Sequence, residues 1–129
     1  MAVIAASLSL FSCQKVASLT IEACVEQANA ECPMYIEEGM ICDRIYISGN
    51  NVIYNYQTTY DVVEGVRVLG DMGKDFIFDE LQSTAAIDSD LRTLIDLCIE
   101  AHYNIVYRYC DNMNNVECIT INYSELATI

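Results

Sequence analysis

The chain has 129 residues, of which six are Lys or Arg and nineteen are Asp or Glu, for a formal net charge of -13. That length suits one domain with a real core and is too short for two of ordinary size. The acidic field excludes nucleic acid as a partner; it would favour a cationic partner or loosely held divalent cations, with solubility alone as the stronger competing reading. A hydrophobic fraction of 53 % and a mean hydropathy of +0.24 exclude general disorder, and no run approaches the ~18 to 20 apolar residues of a membrane-spanning helix.

Residues 1 to 12, MAVIAASLSLFS, form an uncharged apolar run that stops at Cys13 and the polar Gln14 and Lys15. This is the shape of a secretory signal. The string Leu10-Phe11-Ser12-Cys13 resembles the lipobox of bacterial lipoproteins, which implies lipid attachment at Cys13, a membrane anchor and a mature chain that starts there. A bulky residue at the Phe11 position is familiar among Bacteroidetes-type lipoproteins. No Lys or Arg precedes Cys13, so either the start lies upstream of Met1 or the segment is a first buried strand. The abrupt polar stop favours the signal. Residues 13 to 18 then read as a tether and 19 to 129 as a single α+β domain. Because residues 14 to 18 lack an acidic cluster, the resemblance implies a lipid-anchored, periplasm-facing address in the cell envelope.

Along that domain, Ile21, Cys24, Val25 and Ala28 recur at helical spacing behind a Thr20 cap, predicting a helix over 20–31 that ends before Pro33. Ile41, Ile45 and Ile47 share a face in 40–48, Gly49-Asn50-Asn51 supplies turn chemistry, and 52–60 alternates, predicting a β-hairpin. Asp61 and Glu64 have the spacing of a capping box, opening a helical region through Phe76 or Ile77. Gly65, Gly70 and Gly73 either break it or let it pack closely on a neighbour. Leu91, Leu94, Ile95, Cys98 and His102 line one face of a helix from Ser89, and strands follow at 104–110 and 116–123. The order α-ββ-αα-ββ predicts a two-layer sandwich: a four-stranded antiparallel sheet from two hairpins, with helices on one face.

Seven Cys are present, and with Cys13 lipidated the rest are even in number, as a disulfide framework requires. Free Cys as small core residues is the competing reading. A loop centred on Asn114 places Cys110 opposite Cys118 as a disulfide candidate. Metal binding is disfavoured, since His102 and Cys98 share a helix face but further ligands are missing from the pattern. Tyr54-x-Tyr56 and Tyr107-x-Tyr109 each place two phenols on one face of a strand. If exposed, Tyr54, Tyr56, Tyr107 and Tyr109 form a binding stripe for protein or glycan; otherwise they pack beneath the helices. Cys98 and His102 as nucleophile and base stack on a core-facing stripe, poorly placed to converge on a substrate. No nucleotide-binding, hydrolase or metalloprotease motif occurs.

The layout of a helix over 20–33, a hairpin over 40–60 and a helix leading into a Y-x-Y strand over 89–110 resembles small uncharacterised lipoproteins of Bacteroidetes, a resemblance that carries no activity. The expected function is a non-catalytic binding or inhibitory module without a cofactor, acting on an envelope protein or glycan. The alternative is a small envelope enzyme whose site is not visible in the sequence.

Overall fold

The computed structural model describes residues 20–129. In chain order these form α1 (Ile21–Asn29), β1 (Met34–Glu37), β2 (Met40–Ser48), β3 (Asn51–Gln57), α2 (Tyr60–Leu69), α3 (Asp71–Ala85), α4 (Ser89–Ala101), β4 (Asn104–Cys110), β5 (Val116–Ile121) and α5 (Tyr123–Leu126). The strands lie side by side as β1-β2-β3-β4-β5. Every neighbouring pair is antiparallel except β3 and β4, which are parallel.

The expected four-stranded antiparallel sheet is therefore corrected to a five-stranded mixed one. Two physical causes account for the difference. Met34–Glu37 is too short to show a period, yet it adds an edge strand to β2, with a register shift between Tyr35 and Glu37. Between Gln57 and Asn104 the chain also runs through three helices, which return it to the end of the sheet where β3 began, so that Asn104 pairs with Asn51. A helical crossover of this kind is what joins parallel neighbours.

Local chemistry explains the element boundaries. Thr20 Oγ1 accepts the Ala23 amide and starts α1. Ser48 pairs with Asn51 across the two-residue turn Gly49-Asn50, where Gly49 takes a φ of +61° that side-chain-bearing residues avoid. The expected capping box at Asp61 is displaced: Thr59 is the N-cap residue of α2, without a side-chain cap bond, and Asp61 lies inside the first turn. Gly70, at φ +51°, both ends α2 and precedes α3, which splits the long helical region. Asp88 caps α4 by accepting the amides of Asp90 and Leu91, and His102 ends it in the left-handed region.

Cross-strand rows define the two faces of the sheet. One face carries the rows Ile47–Val52–Ile105–Ile121 and Ile45–Tyr54–Tyr107–Ile119, and then Cys42–Tyr56–Tyr109–Glu117. Against it α1, α2, α3 and α4 contribute Cys24, Val25, Val63, Val66, Ile77, Leu81, Leu94 and Ile95 to one core. Burial of these apolar side chains is the main favourable term in folding.

The β4–β5 turn is held by one carboxylate. Asp111, shielded from solvent at 5 % exposure, accepts the amides of Met113 and Asn115 at 2.8 and 3.0 Å and the Asn115 side chain at 2.9 Å. The Asn115 side-chain bond, with the backbone bonds beside it, holds the Asp111 carboxyl below the usual aspartate range. The ionised form is thus favoured in the folded chain. Its contribution to stability is complete above an unfolded value of about 3.9 and is lost as pH falls through the lower folded value. Urea midpoints measured from about pH 6 down to pH 2 are expected to show an acid limb that Asp111→Asn flattens.

Candidate functional site

The residues singled out from the sequence do not assemble into a site. Cys13 lies outside the described residues. Tyr54, Tyr56, Tyr107 and Tyr109 are at most 2 % exposed, and their rings pack together in the core: Tyr54 tilted against Tyr107 at 5.4 Å and Tyr56 stacked on Tyr109 at 5.2 Å between centroids. They are structural, and the exposed binding stripe is corrected accordingly. Burial pushes the Tyr54 and Tyr107 phenols well above the ordinary range, which keeps them neutral.

Cys98 is fully buried, and burial pushes its thiol up to about 12. The ring of His102 instead stacks on that of Tyr123 at 4.6 Å, on the exposed side of the helix end. A neutral buried thiol and a solvent-facing imidazole do not make a nucleophile and base pair.

Cys110 faces Val116, and Cys118 faces Arg108, so the proposed bridge partners are offset by two residues, and both carry free thiols. Cys32, Cys42 and Cys98 are free as well. Among the described residues no group of three or more His, Cys, Asp or Glu is placed to hold a metal ion, and no helix is long and apolar enough to cross a membrane.

The second face of the sheet presents a different chemistry. Its rows are Tyr46–Ile53–Val106–Thr120 and, next to it, Arg44–Asn55–Arg108–Cys118. A register shift between Cys42 and Arg44 makes Asp43 the extra residue of a β-bulge, a device that re-aims side chains. Asp43 and Arg44 consequently both serve this face although they are adjacent in sequence. The bulge is anchored from the core side, where Asn29 at the end of α1 accepts the Ile45 amide at 3.0 Å. It also explains why Ile41 is exposed while Ile45 is buried, contrary to their expected common face.

A hydrogen-bonded chain runs along this row. Asn55, only 7 % exposed, donates to Asp43 Oδ1 at 2.7 Å and accepts from Arg108 Nη1 at 2.5 Å. Gln57 donates to the other Asp43 oxygen at 3.2 Å. The Arg108 group also lies 3.6 Å from Cys110 Sγ, and that thiol donates to the Tyr56 carbonyl at 3.3 Å. Arg44 lies over the Tyr46 ring at 3.7 Å from its centroid, a cation–π contact. Asp43, Arg44, Tyr46, Asn55 and Arg108 line a concavity of about 350 Å³.

Among the described residues, Arg67 pairs with Glu64 and Glu117, Lys74 with Glu125, and Arg92 with Asp96. Among the same residues, Arg44 and Arg108 have no carboxylate within ion-pair distance. A larger hollow of about 470 Å³ lies at the end of the sheet near Tyr35, Ile41 and Tyr60, but Glu37 is its one charged lining group. The convergence of polar groups is at the arginine row.

No protein-family model and no curated protein sequence matches the chain. Its fold does match solved structures. A candidate secreted protein from Pseudomonas aeruginosa superposes with a TM-score of 0.64 at 15 % identity, over 82 % of this chain and 88 % of that one. The pilotin EpsS of the Vibrio vulnificus type 2 secretion system superposes with a TM-score of 0.53 at 11 % identity, over 82 % and 87 % of the two chains. At these identities the likeness establishes a shared architecture.

Removing the centre of the polar row leaves a shielded Arg108 donor and an Asp43 acceptor unmatched. Asn55→Ala is therefore expected to cost about 1–3 kcal/mol in urea unfolding. Gln57→Ala, at an exposed position, is expected to stay within about 0.5 kcal/mol.

Proposed function

We propose that the chain is a non-catalytic binding module of the bacterial cell envelope, tethered through a lipid on Cys13 and presenting the open face of its sheet to a protein or glycan partner. The observation that carries this reading is the Arg44–Asn55–Arg108 row, where donors are oriented around a polar concavity without a nucleophile and base in reach of one another. Arranged polar groups in a concave surface are the ordinary substrate of recognition. The envelope address draws on the lipobox resemblance and on the two fold relatives, one named as secreted and one as part of a secretion system.

The tether makes a definite chemical demand. A thioether to diacylglycerol uses the Cys13 sulfur, so a lipidated Cys13 cannot also take part in a disulfide. Intact mass of protein from the membrane fraction is expected to show loss of residues 1 to 12 and the added mass of acyl chains, and Cys13→Ser is expected to release the protein into the soluble fraction. An unacylated Cys13, or one found in a disulfide, overturns the tether.

Docking through the open face is tested with a photo-crosslinking residue placed in cells at Tyr46, on that face, or at Gln82, an exposed position on α3. A discrete adduct from position 46 and none from 82 is the expected pattern. Equal labelling from both positions counts against the open face.

A further inference from the structure

We infer that Arg44 and Arg108 form a clamp that binds a single carboxylate group on the open face of the sheet. The inference rests on the proposed role of that face and names the chemistry it recognises. Arg44 and Arg108 flank Asn55 in one cross-strand row, on β2 and β4. Strands are about 4.8 Å apart, so the two backbones are separated by about 10 Å and both guanidinium groups can reach over Asn55. Both line the same concavity.

Each guanidinium is also held in place before any ligand arrives. Arg44 rests on the Tyr46 ring, and Arg108 is fixed at one nitrogen, Nη1, by Asn55 Oδ1. The Asn55 amide is oriented in turn by Asp43. Among the described residues, Nε and Nη2 of Arg108 and all three guanidinium nitrogens of Arg44 have no hydrogen-bond acceptor. Planar donor forks of this kind match the two oxygens of a carboxylate, and side chains already immobilised lose less entropy on binding.

Charge selects among anions. Two arginines and Asp43 give the site a formal charge of +1, which one carboxylate neutralises. A phosphate dianion exceeds it and meets the Asp43 carboxylate. Cys118, next in the row, does not alter the count: burial raises its thiol although Arg108 opposes that shift, so it is uncharged at neutral pH. The chain as a whole, at -13, repels anions at a distance, and recognition must therefore be by contact rather than by long-range steering. The ligand of this face is thus acidic, opposite in sign to the partner that bulk composition favours. Its source is either an acidic side chain of a partner protein or a free carboxylate.

The test follows the arginine Nε–Hε resonances of the full chain by ¹H–¹⁵N NMR during titration with acetate, with the blocked tripeptide acetyl-Ala-Glu-Ala-amide, and with inorganic phosphate. Arg44 and Arg108 are expected to shift together and saturate with acetate, while Arg92 does not. Arg44→Gln or Arg108→Gln is expected to raise the midpoint by about tenfold, the order of one lost charge-assisted contact, and Arg92→Gln to leave it unchanged. Tighter binding of the tripeptide than of acetate assigns the ligand to a partner's side chain, and equal binding assigns it to a free carboxylate.

Should Arg108→Gln fail to fold, Arg108→Lys keeps the charge without the fork and is expected to weaken binding in a protein whose amide spectrum is unchanged. Shifts that grow linearly, that affect Arg92 equally, or that show phosphate binding more tightly than acetate overturn the clamp. If the titration fails while the Tyr46 adduct persists, the clamp is wrong and docking through the open face stands. A saturating titration without that adduct leaves the clamp and removes the docking.

Discussion

Pairing Asn51 with Asn104 in parallel sets every later pair of the two central strands, from Val52 with Ile105 to Gln57 with Cys110. Because side chains alternate across a strand, this one register divides the central residues between two environments. Tyr54, Tyr56, Tyr107 and Tyr109 pack beneath the helices, and Asn55 meets Arg108 on the opposite side. A slip of β4 by one residue would turn it over, burying the Arg108 guanidinium and exposing the rings of Tyr107 and Tyr109. The apolar cost of that exchange keeps the polar row aligned. Two side-chain amides, Asn104 donating to Asn51 at 3.0 Å, reinforce the register at its first step.

The bulge at Asp43 acts on the neighbouring strand pair in a comparable way. An extra residue between Cys42 and Arg44 lets β2 contribute a carboxylate and a guanidinium to one face in succession. It thereby supplies the acceptor that orients Asn55 while Arg44 settles on Tyr46. Core packing and site geometry are joined at this point, since Asn29 of α1 receives the amide of Ile45 just beyond the bulge. The cationic spot of an acidic protein is built by local geometry, against the sign of the whole.

Much of the helical half of the fold was legible in the sequence. The stripe from Leu91 to Cys98 and the cap at Thr20 are local patterns within one or two turns, and the structure shows both. The parallel pairing was not legible, because β3 and β4 are brought together by a crossover that no local period encodes. Nor was the bulge, since MICDRIYIS satisfies a simple alternation almost as well as a shifted one. The site was missed for a related reason. Attention falls naturally on the tyrosines of Tyr54-x-Tyr56 and Tyr107-x-Tyr109, while the polar partners occupy the intervening positions, Asn55 and Arg108. One signal was available: with four rings buried, the residue between each pair must face the other way, and in a chain with six cations an arginine there is conspicuous.

The shape of β1 has a consequence for self-association. An edge strand offers unpaired amides and carbonyls on which a second chain can extend the sheet, and the hazard grows with the length of flat, regular edge. Here the edge is four residues long and its register shifts between Tyr35 and Glu37, so too few groups line up for another copy to template upon. A chain with a half-apolar sequence thus carries on this edge strand a built-in obstacle to growing into fibres.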